Sequence, residues 1–515
     1  MAEHWLVRVD LGGRSYLWSD TPVTPVDASG RSWPHLGGLP ELRAPSDYDP
    51  FQQEPRVQSV AVEVSWPPND PVADLIQAGF RFNDGTAEVA LWSDGTAYEE
   101  RTVVVAGRPT EPEYGTKHQP VSFSVESSGW SANGSTHLDT QRVTDDTWPT
   151  GDSDGEFWYP IVIGRPAWTI GAVGPINAYE AGSPARVASR SGGSVAKLVI
   201  AGHAVESTTV HIHDGTNRES FTVSAEADGL GQIVSLVDIS SASTISRTAE
   251  SYSTVWSSGG SMLGPSGAMS GAGDALAWAL SLIDYPVDWS TVYAWRSWLN
   301  RFQVSGFVSE PTSPWDLITD AWLDSLLPVS VVVRDGRLSV VPWRYDARRA
   351  DAVRHIEVGP GLTHPGRIVY ELDSVRSRWQ AGSGLLAGGD PRRVFTAQPT
   401  PLPFQSGLLA QPNTSNRVLA RARTLVGDVS EIQTASWAGD AATVFLSLYW
   451  QAVRGLVTRY VTVQDITGEF EDLVDGDVVT LTHAEAGIQN ALGLVSRDRL
   501  SPVAQNLRVI LLPET

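Results

Sequence analysis

The sequence predicts a multi-domain protein that is mainly β with α+β parts: two antiparallel β-barrel-like domains at its ends, a β insertion between them and a small α+β module. Three observations predict it. At 515 residues the chain is too long for one hydrophobic core, because single cores stop growing well below this size. Short runs of β-branched and aromatic residues recur along most of it, and 47 glycines and 33 prolines punctuate them as turns. Helix signals gather mainly between Gly267 and Tyr345, beside the clearest hairpin. The boundaries that follow are 1–135 for the first barrel-like domain, 136–265 for a β-rich insertion and linker, 266–355 for the α+β module, and 356–515 for the second barrel-like domain with its helix.

Trp5–Asp10 and Arg14–Trp18 around Gly12-Gly13 read as a hairpin, since paired glycines accept the positive φ of a tight turn. A proline-rich polar stretch, Thr21–Pro55, reads as a long loop with Trp33, Leu36 and Leu39 as anchors. Val60, Val62 and Val64 alternate with polar or small residues, the pattern of a half-buried strand. Asn69-Asp70-Pro71 opens a helix of two turns with Leu75 and Ile76 inward and Gly79 as its stop. Strands follow at Ala87–Trp92, Thr102–Ala106 and Val121–Val125, with Asp94-Gly95 and Gly107-Arg108-Pro109 as turns. Together these make one antiparallel barrel or sandwich.

Asn133–Phe157 turns polar and acidic and reads as a linker. Its Asp152-Ser-Asp154-Gly155 is half of a calcium loop without the remaining ligands, so a solvated turn is the better reading. Short strands return at Lys197–Ile200, Thr208–His213, Ser220–Ser224 and Gln232–Ile239. His211 and His213 share one strand face, roughly 7 Å apart, a separation two metal ligands could use. No third ligand is identifiable, so they are read as ordinary strand-end histidines. Ser240–Gly273, rich in Ser and Gly, reads as a connector.

In the module, Leu276, Leu280 and Ile283 mark a helix behind Asp274, and Trp289, Trp295, Trp298 and Phe302 add aromatic bulk. Ser313-Pro314-Trp315-Asp316 has an N-cap, a proline at the first helical position and an acid three residues on, followed by Ile318, Trp322 and Leu326 on one face and Pro328 as the stop. Val329–Arg334 and Arg337–Trp343 around Asp335-Gly336 form a tight hairpin. Four arginines between Arg344 and Arg354 read as a solvated or ion-paired face. Beyond them come a strand in Gly366–Arg378, a glycine-rich loop Ala381–Gly389 without the lysine of a phosphate cradle, and an extended stretch Thr396–Pro412. Asp440 caps a helix carrying Val444, Leu448 and Val453. Strands at Leu456–Gln464, after Asp475-Gly476, at Leu492–Ser496 and at Leu507–Leu512 complete a second antiparallel barrel.

Charge narrows the function. With 37 basic against 59 acidic residues the formal charge is −22, and such a surface repels phosphate backbones. There is no cysteine, which removes disulfides, thiolate zinc sites and cysteine nucleophiles. Residues 1–20 form no basic-then-apolar leader, and no run approaches the roughly 18 apolar residues a membrane helix needs, so stable membrane insertion is not expected. No H-E-x-x-H, G-x-S-x-G or dinucleotide fingerprint is present. The expectation is a protein that is not an enzyme, with no catalytic, cofactor-binding or metal-ligating residues and no cofactor.

The order of pieces resembles the baseplate hub, or tail-tip hub, of tailed bacteriophages. The resemblance is carried by the helix Asp440–Arg454 and the strand after it, Leu473-x-x-Gly476-Asp477-x-Val479, the closing strand Leu507–Leu512, Pro160-Ile-Val-Ile-Gly164, and Pro311-Thr-Ser-Pro-Trp315 before its helix and hairpin. Residues 165–265 fit this pattern least and read as an insertion. The resemblance implies a structural virion protein: a homotrimer at the distal end of the tail, whose two tube domains per subunit alternate around an axis. Six barrels would then match the sixfold tail tube and adjoining distal tail proteins on one side and present a threefold face to a tail fibre or spike on the other. DNA would pass through the lumen without specific binding, and the chain, made in the host cytoplasm, would reside in the tail baseplate of the virion. Two other readings stand beside it. One is a secreted-type carbohydrate-active or carbohydrate-binding β protein, since a glycosidase needs only two well-placed carboxylates among the 59 acids and tryptophans stack on sugars. The other is a distal tail or fibre-attachment protein.

Overall fold

Two consecutive glycines in left-handed conformation, Gly12 (φ 58) and Gly13 (φ 75), turn β1 (Glu3–Leu11) into β2 (Arg14–Ser19), as the sequence requires of a type I′ turn. The computed structural model describes residues within 3–43, 59–65, 79–114, 121–127, 143–149, 157–164, 183–256, 269–319, 329–359, 366–371, 378–385, 391–396, 430–435, 458–465, 469–499 and 505–512, less a few positions inside these ranges. The chain is mostly β, with a closed six-stranded barrel and two half-barrels.

The first half-barrel adds β3 (His35–Gly38), β4 (Glu41–Arg43), β5 (Ser59–Val64), β6 (Thr86–Ser93), β7 (Thr102–Pro109), β8 (Glu113–Tyr114) and β9 (Val121–Ser127). Its order is β3-β2-β1-β6-β7-β9-β5-β4, with β8 beside β9. Val60, Val62 and Val64 point inward among Trp18, Phe82, Phe123 and the valines of β1 and β6, each such side chain contributing about 1.5–3 kcal/mol on burial. The stretch expected as one long loop thus holds two strands. β3 runs parallel to β2, and β4, two residues on, pairs antiparallel with β5 at the opposite edge. The Ser65 amide donates to the Gly38 carbonyl at 2.8 Å, so the segment 35–43 spans both edges of the sheet. Gly107-Arg108-Pro109, expected as a turn, continues β7 against Ser127, Glu126 and Val125 of β9. Proline is tolerated there because β7 has passed the end of its pairing with β6 and is bordered on one side only, by β9.

β10 (Ile161–Ile163) precedes the barrel of β11 (Ser183–Ser191), β12 (Ser194–Ala201), β13 (Thr209–His213), β14 (Arg218–Ala227), β15 (Ile233–Asp238) and β16 (Tyr252–Trp256), closed in the order β11-β12-β15-β14-β13-β16. Gly192 (φ 59) and Gly193 (φ 82) repeat the paired-glycine turn. Two expectations change here. Ser240–Gly273 is not simply a connector, since it supplies β16, which closes the barrel against β11 and β13. Part of the supposed linker packs on the barrel, with Val143 buried beside Tyr159, Ala188, Val199, Val234 and Leu236.

In the module, α1 (Ala272–Ser281) packs against α2 (Trp289–Leu299), a helix where aromatic bulk alone was expected. A Cβ on Gly273 would lie 2.2 Å from the Arg296 carbonyl oxygen, so only glycine permits the approach. β17 (Gly306–Val308) pairs with β10, and β18 (Val329–Arg334) with β19 (Arg337–Pro342). Ser313 caps its helix as expected, its hydroxyl accepting from the Asp316 amide at 2.9 Å, and Ile318 is buried. Trp322, Leu326 and Pro328 lie outside the described residues, as do the helix expected after Asn69, Asp152–Gly155, most of Thr396–Pro412 and Asp440–Arg454.

The second half-barrel is a six-stranded sheet of β20 (Arg354–Val358), β21 (Gly366–Glu371), β25 (Thr458–Asp465), β26 (Val478–His483), β27 (Ile488–Arg499) and β28 (Gln505–Leu511), ordered β20-β26-β27-β28-β25-β21. Between β21 and β25 a separate sheet holds β22 (Arg378–Leu385), β23 (Pro391–Thr396) and β24 (Ser430–Ala435). Ala381–Leu385, expected within a glycine-rich loop, is strand, because its backbone pairs with both β23 and β24. Tyr460, Val478, Leu494, Ile510 and Leu512 join Val341 and Trp343 in one core, fastening the hairpin β18–β19 to the outside of this half-barrel.

Candidate functional site

On the outside of the first half-barrel, Tyr98 is buried with Trp33 stacked on it at 4.3 Å between centroids. Arg101 and Arg8 lie over the same ring at 4.1 and 5.6 Å. Arg101 pairs bidentately with Glu88, its Nη2 at 2.7 Å from Oε2, while Arg8 donates to Asp10 at 2.8 Å and to the Tyr98 hydroxyl at 3.2 Å. This network binds 21–33 and 94–101 to the sheet and commits its carboxylates to guanidinium groups. Sequence reasoning missed it, because its members are spread from Arg8 to Arg101.

The residues singled out for chemistry do not converge. His211 Nδ1 lies 2.6 Å from the Ser220 hydroxyl across the β13–β14 pair, and His213 Nδ1 accepts the Gly215 amide at 2.9 Å in the turn that follows. Among the described residues no group of three or more His, Asp or Glu is placed to hold a metal ion. Arg344 and Arg354 are paired with Asp351 (3.1 Å) and Asp472 (2.8 Å), and Arg344 also lies over Trp295. Among the described residues no helix is long and apolar enough to cross a membrane.

Where a carboxyl among the described residues is shifted, it is shifted down, away from the protonated form that glycoside hydrolysis asks of one of its two carboxyls. The Ser29 hydroxyl lowers Asp27, the Thr244 amide lowers Glu219, and the Ser240 hydroxyl lowers Asp238. Burial pushes Asp214 up, but the amides of Asn217, Ser246 and Thr216 together pull it below the ordinary value. These carboxylates hold turns: Glu219 accepts from the amides of Ser243, Thr244 and Ile245, and Asp214 from those of Thr216, Asn217 and Ser246.

No family model matches the sequence, and no curated protein matches it. Solved structures do. The tail protein from Neisseria meningitidis MC58 aligns over 99% of this chain and 97% of its own, with 10% identity and a TM-score of 0.39. The 43 kDa tail protein of prophage MuSo2 from Shewanella oneidensis covers 98% of each chain at 8% identity and a TM-score of 0.35. Prophage tail protein gp18 from Listeria monocytogenes EGD-e covers 98% of this chain and 94% of its own, again at 8% and 0.35. Superpositions this loose carry no functional argument, which rests on the chain's own residues.

Among the described residues the exposed large apolar side chains are few and scattered. Leu230 and Ile233 stand 63% and 50% exposed at the tip of the β14–β15 hairpin, Tyr293 59% on α2, and Val353 63% before β20.

Proposed function

We propose that this protein is a structural component of a phage tail, a hub at its distal end that assembles as a homotrimer around the path of the DNA. The observation that carries the reading is a device shared by the two end sheets. In each, one edge strand pairs in parallel (β3 on β2, β20 on β26), and the next strand in sequence lies at the opposite edge and pairs antiparallel (β4 on β5, β21 on β25). Among the described residues every other pairing in both sheets is antiparallel. Two half-barrels of one plan in each subunit become six in a trimer, which lets a threefold object match a sixfold tube.

The sequence resemblance to tail hubs, carried in part by residues of these same sheets, favours the same arrangement. The domains would be 1–135, 136–265, 266–355 and 356–515, with the inserted barrel and the module outside the ring. A lumen drawing on a chain of net charge −22 would let DNA slide without adhering. The test is solution mass together with low-resolution imaging of the purified chain. Three chain masses and a ring with a central channel are expected. A monomer without a channel overturns the proposal, and so does glycan hydrolysis abolished by a single Asp→Asn or Glu→Gln change.

A further inference from the structure

We propose that His203 is a proton-sensitive latch between the six-stranded barrel and the α+β module, closed while its imidazole is neutral and opened when it is protonated. The two bodies share β10. Its central residue, Val162, is buried in the barrel core with Leu198, Ile200 and Ile212, whereas Ile161 and Ile163 are buried in the module core with Leu276 and Val308. One edge of β10 is paired with β17. The other is covered by a turn of the barrel: the Gly202 amide donates to the Pro160 carbonyl at 2.8 Å, and the Val162 amide donates to His203 Nε2 at 3.0 Å. Gly202 is required there, because a Cβ would lie 2.8 Å from that of Tyr159.

The bonds fix the protonation state. The Val162 N–H can only donate, so Nε2 presents its lone pair. The Ala204 carbonyl, 3.0 Å from Nδ1, can only accept, so Nδ1 carries the proton. A second proton on Nε2 would aim two donors at each other and leave a cation on a residue that is 8% exposed. Around the ring, β15 contributes the Ser235 hydroxyl on the His203 carbonyl (2.8 Å), and the turn before it places the Gln232 amide on the Gly202 carbonyl (2.6 Å). The titratable groups nearby are occupied: Tyr159 packs on Gly202 and bonds to Asp228, while Arg186 of β11 reaches the Trp158 carbonyl and feels Glu310 beyond β17. Among the described residues no carboxylate acts on the imidazole to favour its cation, and burial holds His203 below the ordinary histidine value.

Amide hydrogen exchange of the full chain, followed from pH 7.5 to 5 and corrected for intrinsic rates, tests the latch. Protection of the Val162 amide is expected to fall by up to tenfold per pH unit below about pH 6.5, the slope of one proton taken up on opening. In His203→Gln the amide oxygen can still accept from Val162 but does not titrate, so the profile becomes flat. His211→Gln, on the half-exposed face of the same barrel, keeps the wild-type slope. A pH-independent wild type, or an unchanged slope in His203→Gln, overturns the latch. Should that variant not fold, an NMR titration of the wild-type imidazoles decides: a His203 ring that titrates at or above the ordinary value is incompatible with it.

Discussion

Tyr159 lies fully buried where three segments meet, its hydroxyl accepting from Trp148 Nε1 at 2.7 Å and donating to Asp228 at 3.1 Å. Tyr159→Phe leaves both partners short of a bond and should cost about 1–3 kcal/mol in chemical denaturation. Burial pushes this phenol up to about 12. Because the folded value is above the unfolded one of about 10, the stability it contributes is complete below pH 10 and is lost as pH rises through about 12. Denaturation midpoints across that range should fall in the wild type and fall less in Tyr159→Phe. His203 has the opposite sign: its folded value is depressed, so its contribution is present above about pH 6.5 and is lost as pH falls. Neither role is legible in sequence. A tyrosine before Pro-Ile-Val-Ile reads as core, and a lone histidine after a strand reads as nothing in particular. Asp228 and Val162, the partners that define these roles, stand 69 and 41 residues away, a distance that local patterning does not span.

At the scale of elements, the α1–α2 contact and the loop that leads into β16 make separate predictions. Gly273→Ala forces two backbones apart, since its methyl would meet a main-chain oxygen that no rotamer change can move. It should destabilise by about 1–3 kcal/mol, read as a lowered thermal midpoint. Glu219→Gln weakens the acceptor that gathers three consecutive amides, so exchange at 243–245 should accelerate while the strands of the barrel keep their protection. Unchanged exchange there would remove Glu219 as the loop's anchor. Strands such as β5, with one face wet and valine on the other, were legible because alternation survives in the letters. α2 was not: Trp289, Val292, Trp295 and Leu299 recur at helical spacing against the module core, but Tyr293 and Trp298 between them are equally large and blur the stripe. The signal that could have found it is its cap, Asp288, whose carboxylate accepts from the Ser290 amide at 3.1 Å. The loop expected over Thr21–Pro55 hid two strands for a related reason, since four and three residues are too few to show a period.

For the whole molecule, sequence conveyed the class and the β character of the ends but not their topology, because which edge a strand joins depends on pairings remote in the chain. The closed barrel between β11 and β16 was read only as a β-rich insertion, since β11 mixes arginine and serine with small apolar residues and β16 follows a serine-rich stretch. A trimer is expected to keep its mass on dilution if its interfaces are those of an obligate ring, and dissociation at micromolar concentration would instead mark a transient contact. The shared strand β10 has a consequence for how this chain can vary. With neighbouring side chains assigned to different interiors, gaining or losing one residue between Pro160 and Gly164 would send each of them into the wrong one. In a library of single-codon insertions this stretch should therefore be depleted of survivors, whereas the open turn at Gly192-Gly193, where added atoms meet nothing within 4 Å, should accept them freely.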